Sequence, residues 1–261
     1  MPIEPPGAAM ELLREGGKVL GLTVSAERVE AFERYYQELV AWNSRFNLTA
    51  ITAYADVQCR HFLDSLSCLL AFPRREAAAE QIPDTVPLQM GANLFCLDVG
   101  SGAGFPGLPI KIMLPDIQMT LLEATGKKVT FLEHMVGVLG LAGVRVIHGR
   151  AEEVAHDPEQ RGRYDVVLAR AVAALPTLAE YCLPYCRVGG RFIAQKGEDV
   201  AEEIEGAQGA LEVLGGAVQE VKTVMVPGIP EPRTLVVVAK TRPTPHEYPR
   251  RPGVPTRRPL G

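Results

Sequence analysis

The chain has 261 residues, 47% of them apolar and 22% charged, the balance of a globular protein long enough for one sizeable domain with an appendage. No run of 18 apolar residues exists and the Pro2, Pro5, Pro6 start carries no basic cluster ahead of an apolar stretch, so neither a membrane helix nor a signal peptide is expected. A net charge of −4 argues against a uniformly basic nucleic-acid binder, but residues 241–261 hold five arginines against one glutamate, so an acidic body ends in a basic tail.

The first third reads as helical. Between residues 25 and 46, apolar side chains fall at Val29, Phe32, Tyr36, Leu39 and Val40, a stripe at helical spacing with Ser25 as its N-cap. A second helix is expected over 52–70, turning Val57, Phe62, Leu63, Leu66 and Leu69 inward, with Asn47-Leu48-Thr49-Ala50-Ile51 as the connector. Residues 73–91, with Pro73, Pro83, Pro87 and Gly91, read as a linker.

After Gly91 the pattern changes. Short apolar runs predict strands over 93–99, 119–123, 144–148, 164–169 and 191–195, alternating with helices over 106–114, 127–139, 175–186 and 199–214. Two strand-like runs, 217–226 and 233–239, close the chain. Alternation implies βαβ crossovers and a mostly parallel sheet, and the final hairpin implies an added antiparallel strand. The expected division is a helical extension and linker over 1–90, an α/β domain over 91–240 and a basic proline-rich tail over 241–261. The cysteines (Cys59, Cys68, Cys96, Cys182, Cys186) form an odd count with no CxxC pair, as in a reduced cytoplasmic protein. Cys182 and Cys186, four apart on an expected helix, read as core, and no metal site is expected.

The strongest signal is Asp98-Val99-Gly100-Ser101-Gly102-Ala103-Gly104-Phe105-Pro106-Gly107, between the first strand and the first helix of the α/β region. In open α/β sheets ligands sit at the carboxyl ends of the strands, and glycines let the backbone approach them closely. Two cofactors compete. Gly102, Gly104 and Gly107 match a dinucleotide fingerprint, with Glu123 at the distance that fingerprint wants. Asp98 favours the other reading, because a carboxylate ahead of the glycines repels a pyrophosphate and suits the sulfonium and ammonium of S-adenosylmethionine. Asp98 then counters the ammonium, Glu123 accepts from the ribose hydroxyls, and Ala151-Glu152, after the third strand, flank the adenine.

These residues resemble the RsmG (GidB) methyltransferases. So do Asn47 to Ile51, Arg60-His61-Phe62-Leu63-Asp64-Ser65-Leu66, Glu123-Ala124-Thr125-Gly126-Lys127-Lys128, Arg150-Ala151-Glu152-Glu153, Arg170-Ala171-Val172-Ala173 and Pro249-Arg250-Arg251-Pro252-Gly253-Val254-Pro255. The match runs in order from about Trp42 to the C-terminus; the first 25 residues carry no motif. The resemblance implies a Rossmann-like class I methyltransferase domain, a mostly parallel seven-stranded sheet with helices on both faces, behind a small helical extension. It implies a monomer that methylates N7 of a guanine in 16S (small-subunit) ribosomal RNA, free or in a ribosomal particle. The family's donor site maps to Gly100, Phe105, Glu123, Ala124, Thr125, Ala151, Glu152 and Arg170; Glu123-Ala124-Thr125 departs from the Asp-Ser pair of some members but keeps an acid.

Guanine N7 carries a lone pair and no proton at neutral pH, so its methylation needs positioning rather than a general base. In agreement, the sequence holds neither an Asn-Pro-Pro-aromatic run for an exocyclic amine nor a Pro-Cys nucleophile loop. Lys127, Arg150 and Arg170, at strand ends on the donor edge, are the candidates for positioning RNA, with Arg170 near the methionine end. Lys128 joins them, although a solvated charge is its simpler reading. His61 and Asp64, three apart on one helix face, read as a polar pair docking that helix, or else as part of the site's mouth. Trp42 and Phe46 read as core, and Phe105 as either donor contact or local packing. The six tail prolines argue against helix and strand there, and Arg250 and Arg251 are expected to meet phosphates, the tail lying on the domain or ordering on RNA. A nicotinamide oxidoreductase and a non-enzymatic RNA-binding protein are the alternatives.

Overall fold

The computed structural model describes residues 9–73, 93–170, 173–197 and 200–261. Most of the expected linker, Ala171 and Val172, and residue 199 at the expected start of the last long helix lie outside them. Helices α1 (Glu11–Val19) and α2 (Ala26–Phe46) open the chain, the second capped by Ser25 Oγ, which accepts the Arg28 N–H. The expected second helix is a composite: α3 (Tyr54–Asp56), a π-helical run Val57–Leu63, α4 (Asp64–Ser67) and a 3-10 turn Cys68–Ala71. π-Helical turns pair i with i+5, are rare, and frequently occur at functional sites.

The α/β region then runs β1 (Phe95–Val99), α5 (Gly107–Met113), β2 (Gln118–Glu123), α6 (Gly126–Val138), β3 (Val144–His148), α7 (Ala151–Val154), β4 (Tyr164–Arg170), α8 (Leu175–Cys182), β5 (Cys186–Lys196), α9 (Ala201–Leu214), β6 (Gly216–Val224) and β7 (Arg233–Lys240). The strands form one seven-stranded sheet in the order β3-β2-β1-β4-β5-β7-β6, in which β7 runs antiparallel to both neighbours and the rest are parallel. This is the Rossmann-like α/β architecture expected. The order reverses between β1 and β4, which places the crevice at their carboxyl ends.

Strand side chains alternate between two cores, as a period of two requires. Cys96, Leu121, Leu168 and Ile193 face α5, α6 and the N-terminal helices, in one apolar cluster with Leu13, Phe32, Tyr35 and Phe62. Leu97, Leu122, Val167 and Phe192 face α8 and α9. The N-terminal helices therefore complete one wall of the sheet. Trp42 lies against Phe46, Phe131 and His134, in the packing role expected of it.

Two expectations are corrected. The helix over 175–186 stops at Cys182, because Pro184 has no N–H to continue it, and Cys186 already belongs to β5; all five cysteines are buried and free. The tail lies on the domain as a strap, one of its two expected placements, but its prolines do not keep it free of helix. It contains a helical turn, α10 (Val254–Arg257), whose Pro255 sits where a missing N–H costs nothing. Arg161 donates to the carbonyls of Thr244, Pro245 and Tyr248, Thr177 Oγ donates to Pro255 O, and Tyr181 pairs with Thr256. Among the described residues no helix is long and apolar enough to cross a membrane.

Candidate active site

The carboxyl edge of the sheet gathers Asp98 from β1, Glu123 from β2, Arg170 from β4 and Gln195 from β5; because β7 is antiparallel, its first residue, Arg233, arrives there too. A cleft of about 440 Å³ opens at this edge. The glycine turn (Gly100 to Ala103) and Phe105 form one side, Glu123, Ala124 and Lys128 a second, and Arg170 the floor. Leu48, Thr49 and His61, from the helical extension, close it. A larger hollow, about 490 Å³, lies at the opposite edge around Phe95, Gln118, Arg145 and Arg163; it has no glycine turn and no strand-end carboxylate.

The turn explains its own composition. Gly102 has φ +60°, and a Cβ there would meet nothing nearer than Gly100 O at 3.9 Å, so the space in front of it is open to a ligand. Gly104 has φ +96°, and a Cβ would fall 2.4 Å from Tyr35 Oη and 2.5 Å from Leu108, so here glycine admits the helical extension. Tyr35 seals that contact by donating to Ala103 O at 2.6 Å.

Glu123 is buried, and its two oxygens accept from the backbone N–H of Gly102 at 2.9 Å and of Thr125 at 2.8 Å. It thus ties the turn to the head of α6 and keeps its remaining lone pairs at the cleft wall, as a ribose diol requires. Asp98 departs from expectation. It is wholly buried beneath the turn, where Oδ2 accepts the Gly107 N–H at 2.9 Å. Its structural task is to hold the far end of the turn, and its only spare acceptor is Oδ1, which has no partner. Burial, opposed by the Gly107 bond, pushes its acidity to about pKa 7. Lying beneath the turn rather than in the cleft, this carboxylate contributes a field that favours a cation over a phosphate there.

Phe105 packs locally and also lines the cleft. Its ring stacks on His61 (4.4 Å between centroids) and on Tyr35 (5.4 Å), and it also faces the cleft, with the Arg170 guanidinium 5.3 Å from its centre. His61 Nε2 bonds Thr49 Oγ at 2.8 Å. Burial, then the Arg170 charge, push this imidazole down to about pKa 4, so it is neutral. Of the helix-face pair, His61 lines the cleft, while Asp64 turns to Arg170 and Arg233 at 2.9 Å each.

The other candidates scatter. Lys128 lines the cleft; Lys127 and Arg150 are exposed beside it. Ala151 O accepts from Tyr185 Oη, and Glu152 is buried with Oε1 on the Gly253 N–H of the strap. Arg250 is a correction. Its backbone N–H, Nε and Nη2 all bond Glu180, a carboxylate with no exposed surface, so this arginine is spent inside the fold. Arg251 is exposed. Of the residues that carried no expectation of their own, Thr49 lines the cleft, while Gln195 and Arg233 reach the same sheet edge without lining it. The strand-end position of the last two is the signal that could have found them.

The chain matches the family model GidB, rRNA small subunit methyltransferase G, over residues 28–228. It is 50% identical over 251 residues to the ribosomal RNA small subunit methyltransferase G of Roseiflexus sp. (strain RS-1), covering 96% of this chain and 100% of that protein. It is 48% identical to that of Dehalococcoides mccartyi (strain CBDB1), with the same coverage of both. It is 44% identical to that of Pelotomaculum thermopropionicum, over 96% of this chain and 98% of the relative. With a family model spanning more than three quarters of its length and relatives matched over 96% of it, this chain belongs to the GidB family of small-subunit ribosomal RNA methyltransferases.

Proposed function

We propose that this protein transfers the methyl group of S-adenosylmethionine to N7 of a guanine in 16S ribosomal RNA. The observation that carries the reading is the cleft itself: an open glycine turn pinned to a buried strand-end carboxylate, Glu123, above an unpartnered Asp98 oxygen. When bound, S-adenosylmethionine supplies an electrophilic methyl carbon on a positively charged sulfur.

The chain's own residues do the rest by placement. Glu123 takes the ribose hydroxyls with the lone pairs its two N–H bonds leave free. The backbone from Gly100 to Gly102 and the faces of Phe105 and Ala124 shape the donor's seat, with Thr125, Ala151 and Glu152 at its margin. Lys128 and Arg170 within the cleft, and Lys127, Arg150 and Arg251 outside it, hold RNA phosphates or the guanine O6 edge. No residue needs to remove a proton. The neutral His61 agrees with this, since a charged imidazolium would oppose the cationic methylguanine as it forms.

Incubation with tritiated donor and small-subunit RNA, followed by nucleoside analysis, tests the reading: label is expected in 7-methylguanosine. Label in another nucleoside, or no label in RNA that relatives modify, overturns it. Thermal stabilisation by S-adenosylhomocysteine and none by NADH is the companion result that separates it from an oxidoreductase.

A further inference from the structure

We propose that Asp64 is a positioning residue for methyl transfer, fixing the Arg170 guanidinium over Phe105 at the floor of the cleft. The inference rests on the function proposed above. Asp64 begins α4, directly after the π-helical run, and its side chain is 8% exposed. Its two carboxylate oxygens are divided between two arginines from different strands. Oδ2 takes Arg170 Nη1 at 2.9 Å, and Oδ1 takes Arg233 Nε at 2.9 Å. Gln195 Nε2, from β5, fixes the carboxylate's own pose through Oδ1 at 3.1 Å and the Asp64 carbonyl at 2.7 Å.

Three strands therefore hold one carboxylate, and only one of its bonds reaches a residue of the cleft. Arg170 is 14% exposed and contacts the Arg60 carbonyl only distantly, at 3.4 Å, so Asp64 is its principal anchor. The pairing does two things. It fixes where the guanidinium points, and it offsets a positive charge that would otherwise face a sulfonium donor and a cationic product across the cleft. Because Asp64 belongs to the helical extension, the pose of Arg170 is set by a segment outside the sheet.

The division of the oxygens provides the test. Asp64→Asn keeps Oδ1 as acceptor for Gln195 and Arg233 and replaces only the atom facing Arg170 with an NH2 donor. Arg233→Met removes the other ion pair and leaves Arg170 held. Asp64→Asn takes the charge out of both pairs but keeps an acceptor for Arg233, whereas Arg233→Met removes one pair and leaves the carboxylate on Arg170, so a purely structural Asp64 predicts lowered melting temperatures with unchanged kcat per donor-binding site in both. The expected result is a kcat loss of roughly a hundredfold for Asp64→Asn at saturating donor and RNA, the scale of a misplaced group. Affinity for S-adenosylhomocysteine should change little, and Arg233→Met should keep its kcat. Arg170→Met should lower kcat similarly, and adding Asp64→Asn to it should cost nothing further. Wild-type kcat in Asp64→Asn, or losses that multiply in the double variant, overturns the inference while the wild-type enzyme still labels guanine. Failure of the wild type itself to label RNA overturns the proposed function instead.

Discussion

Replacing Arg250 with alanine should destabilise the fold by about 3 kcal/mol. Glu180 lies on α8 with no exposed surface and accepts four hydrogen bonds from Arg250: the backbone N–H at 2.7 Å, Nε at 2.9 and 3.1 Å, and Nη2 at 2.6 Å. Alanine keeps the backbone bond and removes the cation, leaving a carboxylate in an apolar cluster. Breaking a buried ion pair from one side costs about 3–5 kcal/mol. The Arg250 side chain is 26% exposed, so water can enter the space it leaves, which favours the lower end. For a chain of this size the loss corresponds to a fall in melting temperature of roughly 6–12 °C. Circular-dichroism melts of Arg250→Ala, of Glu180→Leu and of the pair supply the measurement. The double variant should recover part of the loss, since it removes the buried charge and leaves only the backbone N–H of residue 250 without its acceptor. An Arg250→Ala melt within a degree of wild type would show that the strap detaches freely, and would return Arg250 to the role of an RNA contact.

Three further outcomes follow from the same geometry. Gly104→Ala combines a φ of +96° with a Cβ 2.4 Å from Tyr35 Oη, so it should lose at least about 2 kcal/mol in urea denaturation and loosen the extension from the turn. Glu123→Ala strands the N–H groups of Gly102 and Thr125 and removes the wall's acceptor; calorimetric affinity for S-adenosylhomocysteine should fall about tenfold or more, and an unchanged value would remove Glu123 from the donor site. His61, whose folded pKa is depressed from 6.5 to about 4, favours the folded state while neutral. Its contribution is complete above pH 6.5 and is lost as pH falls toward 4, by up to about 3 kcal/mol, so His61→Gln should flatten the acid limb of the stability profile.

What the sequence made legible was local. The glycine turn, the strand-end acid Glu123 and the alternation of strands and helices each follow from residue types within a dozen positions, so spacing alone set them in place. Pro184 could have ended α8 on paper by the same logic, because a proline removes the N–H the next helical turn needs. The misjudged residues depend on partners far along the chain. Arg250 looks like a phosphate contact until Glu180, 70 residues earlier, is seen buried against it. Asp64 and Arg233 are 169 positions apart, so neither finds its partner in the local sequence. A charged side chain in a sequence shows that a charge must be accommodated, not whether solvent, a ligand or the protein's own interior accommodates it.

That distinction changes what the basic tail can do. Its five arginines suggest an arm, yet Arg250 is held by Glu180, Arg242 donates to the Glu212 carbonyl and Arg257 to Gly253 of its own turn. The strap also supplies the Gly253 N–H to Glu152, which follows the third strand at the margin of the proposed donor seat. An arm built only to grip RNA could be removed with donor binding intact. A strap that neutralises one buried carboxylate and bonds a second cannot, because its removal leaves Glu180 unpaired and Glu152 without its partner. Truncation after Lys240 should therefore weaken binding of S-adenosylhomocysteine and thermal stability together, and within the tail the exposed Arg251, beside the cations around the cleft, is left to meet RNA.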